Sequence, residues 1–117
     1  MNEKIIKVFD IINSSSALTV EQGDLLYSEI VSALRNKEDN IIIDFSDIES
    51  IITPFLNASI GHLYKDYTSD TLNKCLKIIN QPQGAGRKFN MVIKNAKNFY
   101  SNENDYREIV KRALGNE

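Results

Sequence analysis

Three consecutive isoleucines, Ile41, Ile42 and Ile43, lead into Asp44 and Phe45, and no other stretch of the chain constrains its fold as strongly. A continuous β-branched run, with no polar residue alternating through it, is the pattern of a central strand covered on both faces. A strand of that kind sits in a sheet whose neighbours return through helices, so the flanking sequence has to supply helices that pack on it.

The flanks do so. Residues 4–9 carry Ile5, Ile6, Val8 and Phe9 and predict a first strand, followed by an Asn13-Ser14-Ser15-Ser16 loop. Thr19 with Gln22 three residues later has the form of a capping box, and Leu26, Ile30, Ala33 and Leu34 then recur at helical spacing until the polar stretch 35–40. After the isoleucine run, Thr53 before Pro54 predicts an N-cap and a first helical residue, with Phe55, Leu56, Ser59, Ile60 and Leu63 on one face of a helix reaching about Tyr67. Residues 75–79 predict another short strand, with Cys75 as a small core residue. Beyond Gly84-Ala85-Gly86, the spacing of Phe89, Val92, Ile93, Ala96 and Phe99 predicts a third helix. Tyr106, Ile109, Val110, Ala113 and Leu114 predict a separate, C-terminal amphipathic helix over 102–115. The fold class expected is α/β, a central mixed or parallel sheet of about four strands with helices packed against it.

At 117 residues the chain is expected to form a single domain over 1–117. Its 16 acidic and 14 basic residues are spread along the sequence and leave a net charge of -2, so no basic field invites nucleic acid. The start has no secretory pattern and no stretch approaches a membrane span, which predicts a cytoplasmic protein with no membrane partner. One cysteine, Cys75, and one histidine, His62, give neither a disulfide nor a convincing metal site, and no cofactor is expected.

The segment IIIDFSDIESIITPFLNASIGHL, residues 41–63, resembles the strand, loop and helix of the STAS-like domain family (DUF4325 type), related to the STAS domains of bacterial anti-sigma factor antagonists. Asp44-Phe45-Ser46, Ile48, Ile51 and Thr53 stand at the positions of that pattern, in which a small hydroxyl residue opens the helix. The resemblance covers residues 4–100. It departs where the antagonists carry an Asp before the phosphorylated serine and a serine and glycine after it; those places hold Ile52, Pro54 and Phe55 here. The resemblance implies a bacterial, non-catalytic regulatory module that binds another protein of the histidine-kinase-like ATPase type. The docking surface it implies is formed by Asp47, Glu49, Ile51, Ile52, Thr53, Pro54, Phe55 and Asn57, and homodimerisation is left open.

Thr53 is explained as a helix cap and is also the main candidate phosphosite, because a phosphate adds charge that can switch a binding surface; the Ser14-Ser15-Ser16 cluster reads first as a turn and only second as a phosphosite. Gly84, Gly86, Arg87 and Lys88 form the alternative site, a loop that could hold an anion in a small-ligand or nucleotide-binding domain. That loop lacks both full glycine signatures of nucleotide sites. Asp44 has no second carboxylate or histidine at a supporting spacing, and His62 falls off the apolar face of its helix and is expected in solvent. No catalytic residue is expected.

Overall fold

The computed structural model describes the backbone of residues 3–114 and the side chains of residues 3–101. Its main sheet has three parallel strands, β1 (Glu3–Lys7), β3 (Asn40–Asp44) and β5 (Leu76–Ile79), in the order β1-β3-β5. A second, small parallel pair joins β2 (Ser16–Ala17) to β4 (Ser50–Ile51). The α/β class is as expected; the strands divide into three and two.

The order of the main sheet explains which face is covered. Two successive right-handed crossovers stepping in the same direction place their helices on the same side. The register puts Ile6, Ile43 and Ile78 in one row and Ile5, Ile42 and Lys77 in the next, on the opposite face. Ile6, Ile41 and Ile43 are fully buried, whereas Ile5 is 58% exposed, Lys77 is exposed and Ile42 is half-buried. The isoleucine run is therefore central in the sheet but covered on one face, which corrects the two-faced cover expected for it.

Helix α2 (Val20–Arg35) begins as its sequence predicts. The Thr19 hydroxyl accepts from the Gln22 N–H at 3.0 Å, and the Gln22 side chain accepts in return from the Thr19 N–H at 3.0 Å. Leu26, Ile30 and Ala33 face the core. Before it, the first strand stops at Lys7 and the chain turns into a short helix, α1 (Val8–Ile12), in place of the expected strand end. Val8 and Ile12 lie one turn apart and are both buried, and Asn13 closes the helix at φ 54 with its N–H on the Phe9 carbonyl. The loop that follows is shorter than expected, because Ser16 already pairs with Ser50.

The helix expected from Thr53 to about Tyr67 is two pieces, α3 (Thr53–Ala58) and a 3-10 helix (Gly61–Lys65). At the break, buried Ser59 donates both its hydroxyl, at 2.8 Å, and its N–H, at 3.1 Å, to the Phe55 carbonyl. Bonding of this kind bends helices. Helix α4 (Ser69–Cys75), capped by Thr68 accepting from the Thr71 N–H, was not anticipated. It takes Cys75 out of the strand and leaves it half-buried at a helix end. Helix α5 (Gly86–Leu114) is continuous where two helices were expected, since residues 100–105 contain neither glycine nor proline to interrupt it. The side chains of the expected 102–115 helix lie outside the described residues. Within them, Phe89 closes the core edge-on to Phe45, with ring centroids 5.2 Å apart.

Candidate functional site

Parts of the two surfaces singled out in the sequence, Glu49, Ile51 and Ile52 of one and Gly84 and Lys88 of the other, line one groove. Glu49, Ser50, Ile51 and Ile52 form one side of it, residues 82–85 the other, and Leu18 and Lys88 complete a cavity of about 420 Å³. The Lys88 ammonium reaches across and donates to the Ile51 carbonyl at 2.9 Å, tying the start of α5 to β4.

The β2–β4 pair sets the chemistry of the groove's rim. Ala17 and Ile51 are register partners and both are buried, so the next residues on each strand, Leu18 and Ile52, turn outward side by side. The Ile52 N–H donates to the Ala17 carbonyl at 3.1 Å and holds them there. Leu18 is 42% exposed and Ile52 38%, with exposed Val20 and Pro54 nearby in sequence. Leu18 and Val20 were missed. The signal that could have found Leu18 is its position just before the Thr19 cap, where an apolar residue usually packs on the fourth helical residue. That residue is Gly23, which offers no side chain to pack on.

The remaining expected residues separate clearly. Asp47, Glu49, Pro54 and Asn57 are exposed and Thr53 is half-buried, whereas Ile51 and Phe55 lie in the core and present no surface to a partner. Burial of those two follows from strand and helix periodicity: Ile51 alternates with outward Ile52, and Phe55 sits on the inner side of α3. Asp47 sits at φ 68, a left-handed conformation that Asp tolerates, and its carboxylate meets the Lys7 ammonium at 3.0 Å. That hydrogen bond, and the charge of Asp47, raise the Lys7 pKa above its ordinary value.

Thr53 is not a cap. Ile52 holds the N-cap position, Thr53 is the first helical residue, and α3 has no side-chain cap hydrogen bond. The Thr-Pro signal is shifted by one residue, because the outward turn of Ile52 off β4 already supplies the extended conformation that precedes a helix.

Of the anion-loop residues, Gly84 adopts φ 80 in an exposed turn, and Gly86, Arg87 and Lys88 are also exposed. Open space surrounds the α-carbons of both glycines, so neither glycine is needed for a close backbone approach. Asp44 accepts from the Asn80 side chain at 2.9 Å and from the Ser46 N–H at 2.9 Å, and the Asn80 bond above all lowers its pKa below the ordinary value. His62, expected in solvent, is half-buried and stacks on Tyr27 of α2, with centroids 4.1 Å apart and planes 17° from parallel. The break after α3 rotates it toward α2. Among the described residues no group of three or more His, Cys, Asp or Glu could hold a metal, and no helix is long and apolar enough to cross a membrane.

Comparison with curated proteins and with solved structures finds no match. The model of one family, described as a STAS-like domain of unknown function (DUF4325), matches residues 22–81, from the first turn of α2 to just past β5. That span takes in the β4–α3 surface and leaves out the Gly84–Lys88 loop. The chain belongs to this STAS-like domain family.

Proposed function

We propose that this chain is a non-catalytic regulatory module of the bacterial cytoplasm that works by docking another protein on the surface where β4 runs into α3. The observation that carries this reading is the outward pair Leu18 and Ile52, held together by the β2–β4 pairing. Two large aliphatic side chains exposed side by side, with exposed Val20 and Pro54 two residues after each and Glu49 lining the same groove, combine an apolar centre with a polar border, as docking surfaces do. Ile52 and the turn from β4 into α3 fall within the span that the family model matches, and Leu18 and Val20 lie just before it. By its resemblance to anti-sigma factor antagonists, the partner is a histidine-kinase-like ATPase.

Thr53 stands at the edge of this surface with no capping bond to make, which keeps it as the phosphosite of the reading. The small-ligand alternative gains nothing from the groove, since the Lys88 ammonium is already engaged by the Ile51 carbonyl.

The test is binding of histidine-kinase-like ATPases from the native host to the purified protein, compared with Ile52→Arg. Binding by the parent and its loss in the variant, with an unchanged melting curve, is the expected result. An unchanged affinity in the variant removes this surface from the reading, and nucleotide turnover by the isolated chain removes the reading itself. Thr53→Glu is expected to alter partner affinity with little effect on folding.

A further inference from the structure

The uncovered face of the main sheet ends at β1, which pairs with β3 and with no other strand among the described residues. Its outer edge therefore presents backbone N–H and C=O groups as a template for another strand. Along the uncovered face β1 carries Glu3, Ile5 and Lys7, an order that is complementary to itself when reversed.

We propose that β1 pairs antiparallel with β1 of a second copy about a two-fold axis at Ile5, joining the two three-stranded sheets into one. In that register Glu3 lies opposite Lys7 of the second copy, Lys7 opposite its Glu3, and Ile5 opposite its Ile5; the Lys7 ammonium, 3.0 Å from Asp47 of its own chain, is then shared between Asp47 and that Glu3. Opposite charges directly across a strand pair stabilise it, whereas a parallel pairing sets Glu3 on Glu3 and Lys7 on Lys7. The rows behind the edge support the same arrangement. Ile5 is in register with Ile42, and Ile42 with Lys77, so the joined sheet carries a ridge of Ile42, Ile5 and the same two residues of the second copy. Lys77 ends the ridge on each side, its aliphatic stem able to lie along the apolar surface. Ile5, the most exposed large aliphatic residue on the sheet, gains cover from its own copy.

The other edge offers no such match. Leu76, Lys77, Ile78 and Ile79 of β5 carry a single charge. Lysines on an edge commonly keep it from pairing, which is the opposing account of Lys4 and Lys7. In the antiparallel register, however, neither meets a lysine: Lys7 meets Glu3 and Lys4 meets Ile6. The interface is isologous and closed, so association stops at two copies.

Sedimentation velocity of the full chain from low to high micromolar concentration, with hydrogen exchange along residues 3–7, tests the proposal. The expected result is a concentration-dependent dimer in which the amides of β1 gain protection as the dimer fraction rises. Ile5→Lys is expected to abolish the dimer and, at dilutions where the parent is monomeric, to leave the melting temperature unchanged, since the side chain is exposed. Glu3→Lys should weaken association roughly tenfold by setting like charges opposite each other twice. Glu3→Lys combined with Lys7→Glu should restore it when Asp47→Asn is added, which keeps the new carboxylate from facing the Asp47 charge. A monomer at every concentration, a dimer that survives Ile5→Lys, or a dimer without protection of residues 3–7 overturns the proposal.

Discussion

The side-chain amide of Asn80 donates to the Asp44 carboxylate at 2.9 Å, bridging the ends of the paired strands β3 and β5. Asn80 makes this bond from φ 56, a left-handed conformation that Asn tolerates better than most residues. The carboxylate pKa is lowered, so the stabilisation is complete above the ordinary aspartate range and is lost as pH falls through the folded-state value. Asn80→Gly keeps the backbone comfortable and deletes the donor. It is expected to raise the Asp44 pKa toward its ordinary value in an NMR titration and to shift the acid limb of the stability curve to higher pH. An unmoved Asp44 titration would show that the Ser46 N–H and nearby Lys7 hold the charge without Asn80.

Two neighbours in the isoleucine run separate the covered from the uncovered face. Ile43 is fully buried, and truncation to Ala is expected to cost about 2–5 kcal/mol in urea unfolding, the range for large-to-small changes in a core. Ile42, half-buried on the other face, should cost clearly less. Ile42→Asp, which a two-sided cover would make ruinous, is expected to be tolerated far better than Ile43→Asp. Equal losses at the two positions would mean that the second face is covered at β3 in solution, which edge-to-edge pairing through β1 does not do.

The two threonines that resemble caps in the sequence should behave differently. Thr19→Ala removes an accepted N–H bond of a reciprocal capping box and should cost about 0.5–2 kcal/mol. Thr53→Ala removes no capping bond and should stay within about 0.5 kcal/mol of the parent. A large loss at Thr53 would show that its half-buried methyl group, rather than its hydroxyl, matters to the fold.

What the sequence made legible, and what it did not, follows the range of the interactions concerned. The capping box at Thr19 and Gln22 acts over three residues and is readable as written. Ile41 and Ile43 announce a central strand, but whether Ile42 is covered depends on the direction of two crossovers, which no local pattern encodes. The two-residue strands at Ser16 and Ser50 are too short for any periodicity, although their pairing is what turns Leu18 and Ile52 outward together. Residues 47–57 and 84–88 could each be suspected, but only the Lys88 to Ile51 contact, 37 positions apart, shows that parts of them share a groove.

The approach of α2 to α3 rests on Gly23. A β-carbon there would lie 2.6 Å from the Phe55 carbonyl oxygen and 2.7 Å from the Ala58 β-carbon. Helix propensity alone favours Gly23→Ala by about 1 kcal/mol, while forcing an extra carbon into a packed contact typically costs about 1–3 kcal/mol. Here the cost should win, because the Phe55 carbonyl cannot readily swing away: it is held by both the hydroxyl and the N–H of Ser59. Gly23→Ala is therefore expected to lower stability in urea unfolding, and Gly23→Ser to lower it further. The displaced helix is the one that begins at Ile52 and Thr53, so partner affinity should fall along with stability, without any change to an exposed residue of the docking surface. A Gly23→Ala variant more stable than the parent would show that α2 can slide off α3, and that the glycine serves backbone freedom rather than close packing.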